Sequence, residues 1–185
     1  MRKLKNSELN RIGVEEFKSK EKIQLTVVMD NIRSLSNVGS VFRTSDAFLV
    51  KEIVLCGITA TPPHKEIQKT ALGATDSVDW RYEENAIDVV KELQHKGITV
   101  WAVEQADEKI WANDFVLPPS GELALVFGNE VKGVSNEVIS QVDACIEIPQ
   151  FGTKHSLNIS ISAGIMIWEV FKKMQGKYSN GLNYG

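Results

Sequence analysis

Residues 123–139 read LALVFGNEVKGVSNEVI, and this pattern indicates the fold of the chain. Five apolar residues suit a strand that is buried on both faces. They run directly into Gly128, Asn129 and Glu130, and a helical pattern begins soon after Gly133. The β-then-α order is typical of a parallel α/β sheet, in which ligands bind where the strands end. The polar turn after this strand is therefore predicted to be part of a binding site.

Two other stretches have the same character. Residues 31–48 read NIRSLSNVGSVFRTSDAF, and residues 145–165 read CIEIPQFGTKHSLNISISAGI. In each, an apolar run or a helix start meets a segment of glycine, asparagine, serine and threonine. Because the carboxyl ends of parallel strands share one edge of a sheet, the three stretches are predicted to form one site.

The rest of the chain alternates short apolar runs with helical patterns, which predicts an α/β domain built on a parallel sheet. Strands are predicted at Leu25–Met29, Glu52–Leu55, Ser77–Trp80, Thr99–Val103, Leu123–Phe127 and Cys145–Ile148. Helices are predicted at Val38–Phe48, Lys65–Leu72, Asn85–Lys96, Asn136–Gln141 and Ser156–Lys173. The expected organisation is a basic, partly helical arm at 1–22, one domain at 23–175 and a flexible tail at 176–185.

Composition and charge narrow the class of protein. The chain is 43% hydrophobic and 24% charged, as in an ordinary soluble globular protein, and its net charge of −3 does not favour a general nucleic-acid binder. Both ends are locally basic, however, and could meet phosphates. A solvated surface explains these charges equally well. The basic residues are Arg2, Lys3, Lys5, Arg11, Lys18, Lys20 and Lys22 in the arm, and Lys172, Lys173 and Lys177 near the end.

Cysteine and histidine usage favours a cytoplasmic protein without a metal site. Cys56 and Cys145 lie in apolar runs, which fits buried thiols in a reducing compartment better than a disulfide framework. Neither a signal peptide nor a membrane-spanning run is found in the sequence. The three histidines, His64, His95 and His155, lack the spacing of metal ligands.

Each motif taken alone can be explained either by a structural role or by a ligand-binding role. Asn37 is well placed to cap a helix, Gly39 could let the backbone approach a ligand, and Arg43 could be an ordinary surface arginine. The turn at 126–134 is not a phosphate-binding P-loop, because no Gly-Lys-Ser/Thr follows, and it is not a GxGxxG motif, because its glycines are five residues apart. It could bind adenosine through backbone groups or simply reverse the chain. In the third stretch, Ser156 or His155 could cap the helix that follows.

Together, the three stretches resemble the signature motifs of the SpoU (TrmH-like) RNA ribose methyltransferases of the SPOUT superfamily. Their order and spacing agree with that family over roughly residues 25–173. The matching residues are Asn37, Gly39 and Arg43 in the first motif, Phe127, Gly128, Asn129, Glu130 and Gly133 in the second, and Ile148, Pro149, Gly152, Ser156, Leu157, Asn158 and Ser160 in the third.

The resemblance implies a fold, a cofactor and partners. It implies a parallel α/β fold whose C-terminal segment threads a deep trefoil knot, and a homodimer formed through the knotted region. It also implies that S-adenosylmethionine binds in the knot and that a ribose 2′-hydroxyl of RNA is methylated. By the same resemblance, the cofactor is expected to contact Val103, Glu104, Phe127, Gly128, Asn129, Gly133, Ile148, Pro149, Ser156 and Leu157.

The resemblance also assigns catalytic roles. Arg43 matches the family's catalytic arginine, either as a base or as an electrostatic stabiliser, and arginine very rarely loses its proton. Asn37, Glu130, Ser156 and Asn158 are expected to orient Arg43 and the ribose.

Two other classes of protein stay open at this point. A noncatalytic RNA-binding or assembly protein could keep the fold, although the intact motif residues argue against it. A Rossmann oxidoreductase is disfavoured by the missing GxGxxG. Only ~24 residues precede the first strand, too few for a separate RNA-binding domain. RNA recognition is therefore expected to come from the dimer and its basic ends. The expected substrate is tRNA more than rRNA. Removing residues 1–22 is predicted to weaken RNA binding more than cofactor binding.

Overall fold

The computed structural model describes residues 1–9 and 11–178 of the chain, so most of the expected C-terminal tail lies outside the described residues. The strands are β1 Ile23–Asp30, β2 Val50–Cys56, β3 Trp80–Glu83, β4 Thr99–Val103, β5 Ile110–Trp111, β6 Leu123–Phe127 and β7 Ala144–Glu147. The α-helices are α1 Val14–Ser19, α2 Leu35–Ala47, α3 Lys65–Ala71, α4 Ala74–Ser77, α5 Ala86–His95, α6 Asn136–Ile139 and α7 Ile159–Tyr178.

Within the described ranges, the strands form one parallel sheet in the order β3-β2-β1-β6-β4-β7-β5. The predicted α/β fold with a parallel sheet is therefore confirmed. The central strands β1 and β6 are almost completely buried because apolar clusters cover both faces of the sheet. Residues of α2, α3 and α7 belong to the larger cluster, and residues of α5 and α6 belong to the smaller one. The trefoil knot stays a prediction.

This topology gathers the loops that follow the middle strands. β1, β6, β4 and β7 are consecutive neighbours in the sheet, and all run in the same direction. Their carboxyl ends therefore open onto one edge, as the sequence pattern requires. The three motif stretches follow β1, β6 and β7 on this edge.

One predicted strand is wrong. Residues 77–80 were expected to be extended, but Ser77 ends the short helix α4 and the strand begins only at Trp80. The hydroxyl of Ser77 donates hydrogen bonds to the Asp46 carboxylate on α2 and to the carbonyl of Ala74. These contacts favour a helical turn over an extended chain. β3 itself was hidden because it is a half-buried edge strand with a polar sequence, WRYE.

Gly39 has a packing role that the sequence did not reveal. A Cβ atom at this position would lie 2.1 Å from the Thr70 hydroxyl oxygen and 2.3 Å from the Ile67 carbonyl oxygen. Glycine is therefore needed so that α2 and α3 can approach each other. The expectation that Gly39 admits a ligand is wrong, because α3 occupies that space.

The N-terminal arm is attached to the domain. Its helix α1 places Phe17 in the main core, where the side chain is buried. Both cysteines are buried free thiols, as predicted, and burial raises the pKa of Cys56 to about 12. Among the described residues, no helix is long and apolar enough to cross a membrane.

Candidate active site

A cleft of about 810 Å³ opens at the carboxyl ends of β4, β6 and β7. It is lined by nine of the ten residues expected to contact a cofactor, namely Val103, Glu104, Phe127, Gly128, Asn129, Gly133, Ile148, Ser156 and Leu157. Glu130 and Asn158, from the expected catalytic set, line it as well. Pro149, Asn37 and Arg43 are not among the lining residues.

The turn after β6 is closed by hydrogen bonds between its own backbone groups. Asn129 and Gly133 form a two-way bridge, with N–H···O distances of 3.0 Å and 2.8 Å. The Asn129 side chain accepts hydrogen bonds from the amides of Val131 and Lys132. A Cβ atom on Gly128 would lie 2.1 Å from backbone atoms of Gly133, so only glycine fits there.

Glu104 joins this turn to the neighbouring strand. One of its carboxylate oxygens accepts a hydrogen bond from the Val134 amide at 2.9 Å, and the other accepts one from Gln105 at 2.9 Å. Gly133 has φ +68°, and a Cβ atom there would lie 2.2 Å from the same Glu104 carboxylate. Glu104 therefore shapes the wall of the cleft, and its carboxylate already has backbone partners.

Glu130 holds the start of α2. Its carboxylate accepts hydrogen bonds from the amides of Arg33 and Ser34 and from the Asn37 side chain, each at 3.0 Å. Partial burial acts to raise the pKa of Glu130. The hydrogen bonds from Arg33, Glu130 and Ser34 amides and from Asn37 outweigh that effect and hold the pKa below its ordinary value.

A chain of side chains connects all three motifs. Asn158 donates from Nδ2 to Asn37 Oδ1 at 3.2 Å, and Asn37 donates from Nδ2 to Glu130 Oε1 at 3.0 Å. Asn37 is buried, whereas Glu130 and Asn158 are exposed at the cleft. The prediction that the three stretches form one site is therefore matched by direct contacts between them.

The helix caps differ from those that the sequence suggested. Ser34, rather than Asn37, caps α2 by accepting a hydrogen bond from the Asn37 amide, and Asn37 lies inside the helix. Asn158, rather than Ser156 or His155, caps α7 through the Ser160 amide at 2.8 Å. The Ser156 hydroxyl forms no hydrogen bond with the described residues, so it is available to a ligand.

Arg43 lies apart from the cleft in the single chain. It is six residues after Asn37 in α2, which places it about 9 Å further along the axis and about 240° around it. The side chain is exposed and forms no ion pair or hydrogen bond with the described part of the chain. Its guanidinium is therefore available to an external anion.

Two anchoring residues were not found by sequence reasoning. Gln105 donates from Nε2 to the His155 carbonyl at 2.8 Å, which ties the loop after β4 to the third motif. Asn31 has a φ of 56°. Its side-chain oxygen accepts a hydrogen bond from the Ile58 amide at 3.1 Å, and its backbone carbonyl accepts one from Asn129 Nδ2 at 2.7 Å. Asparagine tolerates this left-handed conformation, but neither contact leaves a signal in the sequence.

The lowered pKa of Glu130 predicts a pH-dependent stability. Glu130→Gln keeps the shape of the side chain but removes the charge, so we expect a lower free energy of unfolding near neutral pH. The folded-state pKa of Glu130 lies below its unfolded-state value. The stability contributed by the ionised carboxylate is therefore fully present above the unfolded-state pKa and is lost as the pH falls through the folded-state pKa. Urea titrations should show the difference from wild type shrinking below about pH 4.5.

A matched control for this measurement is Glu137→Gln. Glu137 is exposed in the first turn of α6 and forms no ion pair with the described residues, so this change should alter stability little. A difference between wild type and Glu130→Gln that stays constant from neutral to strongly acidic pH would contradict the role assigned to the carboxylate.

The geometry agrees with comparisons to known proteins. The model of the SpoU rRNA Methylase family matches residues 24–168, which include every motif discussed above. The chain belongs to this family. The second and third motif stretches line the cleft, and the first contacts them through Asn37. The SpoU resemblance read from the sequence is confirmed.

Two curated relatives illustrate the match. A Staphylococcus aureus protein named as a TrmH family tRNA/rRNA methyltransferase is 29% identical over 160 residues, covering 86% of this chain and 63% of that protein. The 23S rRNA (guanosine-2′-O-)-methyltransferase RlmB of Nitrosomonas europaea is 31% identical over 159 residues, covering 86% and 60%. The SpoU-family chain thus spans about three fifths of the length of these relatives.

Solved structures show the same fold. The A. aeolicus TrmH/SpoU tRNA modifying enzyme superposes with a TM-score of 0.78 at 26% identity, covering 92% of this chain and 87% of that one. The AdoMet-bound rRNA methyltransferase of Sinorhizobium meliloti gives a TM-score of 0.76 at 27% identity, covering 82% and 57%. The described sheet is therefore the SpoU methyltransferase fold.

Proposed function

We propose that this SpoU-family chain transfers a methyl group from S-adenosylmethionine to a ribose 2′-hydroxyl in structured RNA. The observation that carries the proposal is the hydrogen-bonded chain Asn158–Asn37–Glu130 beside the cleft, which brings one residue from each motif together. A noncatalytic RNA-binding protein would not need this polar arrangement next to a cofactor-sized cleft.

The cleft suits the proposed cofactor. Its volume of about 810 Å³ lies within the usual range for small-molecule sites. The apolar residues Phe127, Ile146 and Ile148 line it beside the turn at Gly128, where the space of a side chain is filled by the backbone of Gly133 and Val134. S-adenosylmethionine supplies a methyl group that is already activated on its sulfonium. Relatives support the choice, since the S. meliloti rRNA methyltransferase was solved bound to AdoMet.

The residues of this chain would then position the ribose. The 2′-oxygen would have to lie in line with the S–CH3 bond, which would break to leave S-adenosylhomocysteine as the O–CH3 bond forms, while the hydroxyl proton passes to water. Asn37 and Asn158 are held by the ionised Glu130, so their amides keep one orientation. The unpaired Ser156 hydroxyl can bind the ribose, and Arg43, which lies outside the cleft, can bind a phosphate of the same RNA.

Among RNA classes, we favour tRNA over rRNA. The RKLKNSELNR opening of the chain resembles tRNA guanosine methyltransferases, and the A. aeolicus structure is named as a tRNA modifying enzyme. The N. europaea relative, however, is named for 23S rRNA.

The buried free thiols fit a reducing compartment, and we place the protein in the cytoplasm.

We further propose that two chains pair through α7. One side of this helix packs into the core through residues such as Ala163 and Ile167, while Ile161 and Trp168 are exposed by 54% and 44%. Ile161 and Trp168 are seven residues apart and so share one face of the helix. An exposed apolar helix face of this kind is typical of a protein interface. Sedimentation of the full chain would test the dimer, and a monomer at micromolar concentration would contradict it.

The acceptor is tested by methyl transfer. Labelled S-adenosylmethionine is incubated with the chain and either total tRNA or ribosomal RNA, with NAD binding measured as a cofactor control. Label in tRNA is the expected result, and label only in ribosomal RNA would overturn the choice of tRNA. No binding of S-adenosylmethionine would favour the noncatalytic alternative.

The basic arm gives a prediction about RNA affinity. Lys3, Lys5 and Arg11 are exposed and form no ion pairs with the described residues. Changing all three to glutamine should weaken tRNA binding roughly tenfold and lower the salt dependence by about two to three released counterions. Cofactor affinity should not change, because the arm does not line the cleft. Filter binding at several salt concentrations measures both effects.

Substitution is a sharper test than deletion of residues 1–22, because deletion would also remove Phe17 from the core. Lys91→Gln is the matched control, since Lys91 is an exposed cation on α5 without an ion pair among the described residues. Equal tRNA affinity in the triple variant and in wild type would count against a role for the arm.

A further inference from the structure

Phe151 is an aromatic side chain that the fold leaves in solvent. It is 99% exposed and forms no ring contact with the described residues, whereas Phe42, Phe115 and Phe127 are buried. Leaving a phenylalanine in water forgoes the free energy that burying its ring would gain. Its position therefore suggests a surface that another molecule covers.

The loop that carries Phe151 is fixed at the cleft. On one side of it Gln150 lines the cleft, and on the other side the segment 155–158 does so. The Gln105 amide holds the loop through the His155 carbonyl at 2.8 Å, and Asn158 continues into the contact with Asn37. Phe151 thus stands at the mouth of the site where the ribose is proposed to bind.

The surface around this mouth carries unpaired positive charge. Lys132, Lys154 and Arg33 are exposed, lie on the segments that border the cleft, and form no ion pair with the described residues. Five other exposed lysines are paired with carboxylates, as Lys20–Glu16, Lys51–Glu122, Lys69–Glu66, Lys96–Glu92 and Lys172–Glu169, whereas Lys3, Lys5 and Lys91 have no such partner among the described residues.

Acids also border the mouth and keep their negative charge, but none of them forms an ion pair with Lys132, Lys154 or Arg33 among the described residues. The carboxylates of Glu104 and Glu130 accept hydrogen bonds from backbone amides, and Asp107 is the exposed acid among the cleft residues that follow β4. An aromatic ring among unpaired cations is the combination that binds single-stranded nucleic acid, by stacking on a base and contacting phosphates.

We propose that Phe151 stacks on an unpaired base beside the target nucleotide, while Lys132 and Lys154 contact the flanking phosphates. This inference rests on the proposed function and narrows its substrate to RNA in which that base is unpaired, as in a loop. The apolar face of α7 is a separate surface that suits a second copy of the chain.

The test is binding of a short mixed-sequence oligoribonucleotide, either single-stranded or annealed to its complement. Phe151→Ala should weaken binding of the single strand roughly tenfold, whereas Phe151→Trp should retain it because the ring is kept. Binding of the duplex should change little in either variant, since its bases are already stacked. Lys154→Ala should weaken both forms and reduce the salt dependence of binding. Val116→Ala, an exposed apolar residue outside the cleft, is the control.

Two results would overturn this inference. One is unchanged single-strand affinity in Phe151→Ala, and the other is conversion of a dimer to a monomer by that change, which would assign Phe151 to a protein interface. The outcome is separable from that of the proposed function. Methyl transfer by wild type without any effect of Phe151 rejects only the stacking role, whereas ring-dependent RNA binding without methyl transfer rejects only the proposed activity.

Discussion

Gly128→Ala is expected to abolish S-adenosylmethionine binding and to destabilise the fold. The new methyl group would lie 2.1 Å from the Gly133 carbonyl carbon and 2.1 Å from the Val134 nitrogen. Both are backbone atoms, so relief requires the turn at 129–133 to open and its bridge to break. Overpacking of this kind costs about 3 kcal/mol, which corresponds to a loss of roughly 6–12 °C in melting temperature for a chain of this size.

Calorimetric titration with S-adenosylmethionine and a thermal melt measure the two effects of Gly128→Ala. Gly13→Ala is the matched control, because a Cβ atom there meets nothing within 4 Å and the backbone has an ordinary φ of −79°. Cofactor affinity and melting temperature equal to wild type in Gly128→Ala would show that the turn does not form the cofactor wall.

Arg43→Ala is expected to lower methyl transfer by about 100-fold or more while cofactor binding survives. Arg43 lies outside the cleft, so its removal leaves the cofactor walls intact. The exposed guanidinium is proposed instead to bind an RNA phosphate outside the cleft and so to hold the ribose in position for transfer. Single-turnover transfer to RNA, together with titration of S-adenosylmethionine, separates the two properties.

Two further variants sharpen the Arg43 experiment. Arg43→Lys keeps the charge but loses the planar fork, so it should recover part of the activity if charge matters and little if paired hydrogen bonds matter. Lys91→Ala removes an exposed cation on α5 and should leave transfer unchanged. Near-normal turnover in Arg43→Ala would reject its catalytic assignment.

The sheet was predictable because its strands carry a local signal. Thr99–Val103 and Leu123–Phe127 have the predicted bounds, since buried parallel strands appear as uninterrupted apolar runs. The edge strands were not predictable for the same reason. β3 is polar and half-buried, and β5 has two residues, so neither gives an apolar run.

The sequence predicted that the three motif stretches lie near one another, but it did not predict their contacts. Motif spacing placed Asn37, Glu130 and Asn158 at one edge of the sheet. The contacting residues are far apart in the sequence: Asn37 and Glu130 are separated by 93 positions, and Asn37 and Asn158 by 121. No local sequence pattern encodes such contacts. Gly39 shows the opposite error, because a glycine that suggested an open approach for a ligand is filled by a neighbouring helix.

The position of the transferred methyl group tests the central claim most directly. RNA labelled by the wild-type chain is digested to nucleosides, and the label is assigned to a base or to a ribose. We predict a 2′-O-methylated nucleoside, because the Asn158–Asn37–Glu130 chain beside the cleft is proposed to orient a ribose hydroxyl. Label on a base, or bound S-adenosylmethionine with no transfer to any RNA, would contradict the account.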